Sequence, residues 1–150
     1  MANMYTALKT NLIAAIKANA GVTALLANGA DSIVQMFPDM MLAMPCLSYH
    51  VSSRQAETER GPRKNWVTTI EVTIHGPDPD VVDQIDAAFD DMLEAGELED
   101  SVLTSADVTV SNFLEAAAVS SDLDPRHLAR DKIVEMRTRT FACLINRPPE

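Results

Sequence analysis

Between Trp66 and His75 the chain alternates without a break. Trp66, Thr68, Ile70, Val72 and Ile74 fall on one side, and Val67, Thr69, Glu71, Thr73 and His75 on the other. Period two sustained over this length predicts a β-strand with two unlike faces. "GPDPD" then breaks the alternation, and the spacing changes to that of a helix over Asp78 to Glu94. Val82, Ile85, Phe89, Met92 and Leu93 form an apolar stripe, opposed by Asp83, Asp86, Asp90, Asp91 and Glu94. Asp78 suits the cap position, Pro79 the first turn, and Ala95-Gly96 the stop. A strand that must bury one face, followed by a helix with one apolar stripe, restricts the chain to folds in which helices lie on a sheet.

The remaining segments agree. Leu8, Leu12, Ile13 and Ile16 give a helical stripe over residues 4–19, ended by "NAG", with one more short turn between Val22 and Ala27. Ser32 to Phe37 is a short β-rich run cut off by Pro38. In "MPCLSYHVSS", Leu47, Tyr49 and Val51 alternate with Cys46, Ser48 and His50, which predicts a second strand. Val108 to Leu114 reads as a weaker strand and Lys132 to Ile145 as a long one. In that last strand Glu135, Arg137 and Arg139 oppose Met136, Thr138, Thr140 and Ala142. The segment 115–131 between them reads as a surface excursion with one helical turn. The expected fold is α+β: an antiparallel or mixed sheet of four to five strands with two amphipathic helices packed on one face. A length of 150 residues fits one domain, with a core large enough to need neither disulfide nor metal.

Charge narrows the function classes. The chain has 22 acidic and 12 basic residues. From Asn65 to Pro125 there is no Lys or Arg, which argues against general nucleic-acid binding. No apolar run approaches the roughly 20 residues that span a bilayer. The N-terminal stretch, with a Lys inside its periodicity, reads as an amphipathic helix and not as a secretory signal. Two cysteines make no disulfide framework and suit synthesis in a reducing cytoplasm.

Catalytic chemistry finds little support. There is no G-x-S-x-G, and neither Cys46 nor Cys143 stands in a nucleophile motif. Cys46 and His50 share a strand face about 13 Å apart, too far to clamp one zinc. The Asp78–Asp80 pair lacks the rest of a calcium loop. The carboxylates of the 78–94 helix read as a solvated face, and none of the five glycines stands in phosphate-loop spacing. No catalytic, metal or cofactor site is therefore expected.

One stretch stands apart. "SSRQAETERGPRKNW" separates two predicted strands that a tight turn could join, and it holds Arg54, Arg60, Arg63 and Lys64. Glu57 and Glu59 are mixed among them, and Trp66 closes the stretch. A single-stranded nucleic-acid site calls for aromatics within the basic run and a basic surface beside it. Mixed charge suits a protein-facing hairpin arm at 52–65, and a merely solvated hairpin is the plainer alternative.

The order of "YTALKTNLIAAIKANAGVTALL", "SIVQMFPDMMLAMPCLSYHVSS", a polar hairpin and "WVTTIEVTIHGPDPDVVDQIDAAFDDMLEAG" resembles the tail terminator, or tail completion, proteins of long-tailed bacteriophages and related tail-like particles. The residues that carry the resemblance are Leu8 to Leu26, Pro45 to Val51, Trp66 to His75 and Val81 to Leu93, roughly the first two thirds of the chain. The excursion after Leu114 departs from the pattern. The resemblance implies a non-enzymatic virion protein of the tail and neck, assembled in the host cytoplasm. Such a protein forms a hexameric ring that caps the tail tube and halts its polymerisation. Its partners are further copies of itself, the major tail tube protein and the head–tail connector or stopper protein, and DNA passes through the lumen without sequence-specific binding. In that setting Arg54, Arg60, Arg63 and Lys64, with Trp66 at their base, are expected to meet acidic surface on a neighbour, such as Asp83, Asp86 and Asp90. A head-side stopper or neck protein is the alternative in the same class. A small α+β ligand-binding domain or enzyme is the alternative in another.

Overall fold

The computed structural model describes residues 3–35, 43–55, 65–116, 120–123 and 134–147, with backbone alone at 54–55 and 120–123. The helices are α1 (Met4–Ala18), α2 (Ala20–Thr23), α3 (Pro79–Glu94) and α4 (Asp100–Leu103), with a 3-10 turn at Gly29–Ser32. The strands are β1 (Ile33–Gln35), β2 (Cys46–Gln55), β3 (Trp66–Gly76), β4 (Thr109–Glu115), β5 (Ser120–Leu123) and β6 (Glu135–Asn146). Among the described residues they form one sheet ordered β1-β2-β3-β6-β4, with β5 also paired to β6. β1 runs parallel to β2, and the other pairs are antiparallel. The mixed sheet with its helical layer is the α+β architecture that the periodicities predict. It has one strand more than expected, because Ser120–Leu123 inside the 115–131 excursion pairs with the first third of β6.

α1, α2 and α3 each start where the sequence supplies an acceptor. The Asn3 side chain accepts from the Thr6 amide at 2.8 Å, and Asp78 accepts from the Val81 amide at 3.0 Å with Pro79 behind it. α1 ends differently from the expected glycine stop. Asn19, in an extended conformation, closes α1 and at once caps α2, its side chain accepting from Val22 N, so Gly21 lies inside the second helix. α3 does end at Gly96, whose φ of +70° is open to glycine at little cost.

The stripes meet across the sheet. Leu8, Leu12 and Ile16 of α1 and Val82, Ile85, Phe89 and Met92 of α3 are buried against Leu47, Val51, Ile70, Val72, Ile74, Phe141 and Ile145. Full burial of such side chains stabilises by about 1.5–3 kcal/mol each before entropy is counted. Gly76 marks a tight approach: a Cβ there would meet Val82 Cγ2 at 2.7 Å, so the strand-to-α3 corner needs its absence.

β4 departs from simple alternation. Its register with β6 shifts between Ser111 and Leu114, and Asn112 sits there at φ 55°. This is a β-bulge with its extra residue in a left-handed conformation that Asn tolerates. Asp100, at the start of α4, accepts from the Asn112 amide at 3.1 Å and the Phe113 amide at 2.8 Å. The bulge changes which residues face the helices. Val110 points inward before it, and Phe113, stacked on Phe141 at 5.3 Å, points inward after it. Leu114 is turned away and is 54% exposed. Replacing Asp100 by Ala leaves two bulge amides without their acceptor and is expected to lower stability by about 1–3 kcal/mol. Urea unfolding checks this, and a loss below about 0.5 kcal/mol would mean that Asp100 does not hold the bulge.

Candidate functional site

β6 carries charge on the side where the helices pack. Glu135, Arg137 and Arg139 share a face with Phe141, Cys143 and Ile145, and Arg139 is 3% exposed. The carboxylates of α3 lie above them. Arg139 Nη1 donates to Asp86 Oδ1 at 2.9 Å, and Nη2 donates to Asp90 Oδ1 at 2.5 Å and to Glu115 Oε2 at 2.9 Å. Its guanidinium also stands 5.5 Å from the centre of the Phe89 ring. Arg137 Nη1 lies 2.5 Å from Asp83 Oδ1 and 3.5 Å from Asp86 Oδ2. Burial alone would favour loss of the Arg139 proton. The hydrogen bonds from Glu115 and Asp90 and the charges of Asp86 and Glu115 outweigh it, and they hold its pKa above the ordinary arginine value.

This arrangement changes what Asp83, Asp86 and Asp90 can do. The sequence reading makes them a wet face open to a neighbour's arm. Asp86 is engaged by two arginines of its own chain, its side chain 17% exposed. Asp83 and Asp90 stay more than half exposed while pairing with the same arginines, at 59% and 56%. The outward carboxylates of α3 are Asp80, Asp91 and Glu94, together with the exposed flanks of Asp83 and Asp90. The signal in the sequence was the Glu135-Arg137-Arg139 alternation beside an acidic helix. The alternation alone does not say which of its two sides meets the helices.

Of the basic residues expected in the arm, Arg60, Arg63 and Lys64 lie outside the described residues. Arg54 is placed by its backbone alone, opposite Val67 in β2. β2 continues to Gln55, paired with Trp66, so the strands run further into the 52–65 segment than the polar composition suggests. Trp66 is half-buried at the start of β3 and lines a cavity of about 350 Å³ with Met4, Tyr5, Ser53, Ile145 and Arg147. Tyr5 anchors this end by donating from its hydroxyl to the Val51 carbonyl.

A second hollow, about 320 Å³, lies on the other side of the sheet and is lined by Ser48, His50, Glu71, Thr73, His75 and Thr138. Ser48 Oγ and His75 Nε2 are 2.8 Å apart and both residues are buried. A Ser–His contact becomes a nucleophile only with an orienting partner and donors aimed at an oxyanion. Ser48 sits in mid-strand between β1 and β3, where the ladders use the main-chain amides. Among the described residues no group of three or more His, Cys, Asp or Glu is placed to hold a metal ion. No described helix is long and apolar enough to cross a membrane.

Comparison with solved structures adds a fold relative. The chain is similar to a chain in a solved structure titled "Virion of native gene transfer agent (GTA) particle". The TM-score is 0.63 at 12% identity, with 95% of this chain and 93% of that chain covered. At that identity the likeness is one of fold, and it extends over nearly the whole of both chains. No family model matches the sequence. No curated protein matches it either.

Two outcomes test the energetics. Arg139→Met leaves Asp86, Asp90 and Glu115 facing one another without a cation and is expected to cost about 3 kcal/mol in urea unfolding. Asp83→Asn, at an exposed pair, is expected to cost under about 1 kcal/mol. Equal costs would refute the clamp. Cys143, buried and near Asp100, has its thiol pKa pushed up from 9.0 to about 12. The folded chain thus keeps a proton that the unfolded chain releases, so stability is intact below pH 9 and falls as pH rises from there toward 12. The drop in urea midpoint between pH 8 and pH 10 is expected to be smaller in Cys143→Ala, where that thiol no longer titrates.

Proposed function

We propose that this chain is a structural protein of a phage-type virion and, more finely, a subunit of the ring that caps the tail tube. The ring stops tube polymerisation and joins the tube to the head connector, with DNA passing through its centre. The supporting observation is the fold likeness to a chain of a gene transfer agent virion over 95% of this chain. The resemblance of the helix–strand–hairpin–strand–helix order to tail terminators supports the finer role. The action is mechanical and needs no catalytic group.

The physical chemistry suits that role. A chain of net charge -10 lining a conduit repels phosphates, so DNA slides through without sticking. The basic end of the arm, Arg60, Arg63 and Lys64, would face acidic surface on the next copy or on the tube. With Asp86 taken by Arg137 and Arg139, the complementary surface is the outward carboxylates of α3, chiefly Asp80, Asp91 and Glu94. Exposed pairs contribute under about 1 kcal/mol each, so they choose partner and register more than they hold the ring together.

The test is assembly. The protein is expected to form rings, measured by light scattering on a sizing column and by negative-stain images, and to be found on purified tails. Reversing Arg60, Arg63 and Lys64 together to Glu is expected to abolish ring closure and give tails of irregular length. Normal rings and normal tails in that variant would remove the arm from the account. Recovery of the protein on tail-less heads and never on tails would replace the terminator with a head-side stopper.

A further inference from the structure

A row of unlike donors crosses the sheet on the face away from α1 and α3. Cys46 of β2 stands opposite His75 of β3, and His75 stands opposite Met136 of β6. Residues opposed in register share a face, with Cβ atoms about 4.5–5.5 Å apart. Cys46 is 0% and His75 1% exposed. Met44 adds a second sulfur beside the first. Its Sδ lies 3.5 Å from Cys46 Sγ, and the thiol donates to it. His75 and Met136 line the hollow of about 320 Å³, which gives a small ion a way in. Along β2 itself the histidine on this face is His50, about 13 Å from Cys46. The ladder supplies His75 at neighbour distance instead. Cys46 and His75 alone are too few to hold a metal, and the two thioethers raise the donor set to four.

We propose that Met44, Cys46, His75 and Met136 form a site for a soft monovalent metal ion, Cu(I). The donors decide the ion. Thiolate and thioether sulfur select soft metals and imidazole suits copper too, whereas carboxylate and carbonyl oxygen suit hard cations. Asp122, placed by its backbone alone, is next in register to Met136 and is no part of the set. The sulfur pair already has the bite of a chelate. Two metal–sulfur bonds of about 2.3 Å span its 3.5 Å at an angle of about 100°, close to the tetrahedral value. Ser48 supplies the support that a ligating imidazole needs. Its Oγ is 2.8 Å from His75 Nε2, so the ligating nitrogen is Nδ1. On binding, the Cys46 thiol gives its proton to solvent and the metal takes its place. An ion held in this way joins β2, β3 and β6 through their side chains and stabilises the folded chain by mass action. The site stands apart from the ring reading and does not depend on it.

The test uses the full chain without oxygen, with Cu(I) offered as its bicinchoninate complex. The protein is expected to withdraw one equivalent, read as loss of the chelate's colour and as one added copper in native mass spectrometry, and its thermal midpoint is expected to rise. Cys46→Ser is expected to abolish binding, and Cys143→Ala, on the helical face, to leave it unchanged. Ser48→Ala removes the contact that orients the imidazole and is expected to weaken binding by about tenfold to a hundredfold. If Cys46→Ser loses the native far-UV spectrum, the double variant Met44→Leu, Met136→Leu decides, with an expected weakening of about tenfold or more. Wild-type affinity in that double variant would reduce the site to one thiol and overturn the proposal. Failure to draw copper from the chelate, or Zn²⁺ held as tightly as Cu(I), would overturn it as well.

Discussion

Arg139 fixes how the layers of this protein meet. Its guanidinium reaches a carboxylate on α3 at two successive turns, Asp86 and Asp90, and a third on β4, Glu115. Burying a cation is unfavourable by several kcal/mol, and the three acceptors largely cancel that cost and do little more. The cluster therefore adds little net stability relative to a well-packed apolar residue. What it sets is geometry. A helix docked on Leu, Ile and Phe alone could slide by a turn with small loss, whereas sliding α3 past Arg139 would strand charges in a dry layer. The clamp ties register to charge where α3, β4 and β6 converge on Arg139.

The bulge in β4 is needed for the same reason. Without the extra residue, Asn112 and Leu114 would face the helices, and Phe113 and Glu115 would face away. Glu115 could then not reach Arg139, and the stack of Phe113 on Phe141 would be lost. The left-handed Asn112 and the Asp100 side chain that holds it are thus upstream of the clamp. A short helix, α4, has its place in the fold because its first residue serves as that holder.

Much of the fold was legible because two periods dominate the sequence. Trp66–Gly76 and Pro79–Glu94 emerge with nearly the predicted ends, and so does α1. In α3 the apolar spacing, the cap and the breaker agree; in β3 and α1 the apolar spacing carries the prediction. What was hidden depends on contacts between distant segments. Ser120–Leu123 has no alternating pattern and becomes a strand only because β6 offers it an edge. The inward direction of Arg137 and Arg139 contradicts the default that charge faces water, and only α3's carboxylates make it affordable. The hydrogen bond of Ser48 to His75 joins residues 27 apart on neighbouring strands, a separation no local motif encodes. The basic residues 60, 63 and 64 stand out in sequence for their charge, and the described structure adds only the strand ends that flank them.

The two faces of the sheet separate two kinds of work. On the helical face the chain spends its arginines internally, and the surplus carboxylates of α3 remain outward. On the other face Glu71 is the charged residue among the described side chains, and Ser48 meets His75 there. The charge on the helical face follows from the parity of β4 and β6 that seats Arg139 beside Asp86, Asp90 and Glu115.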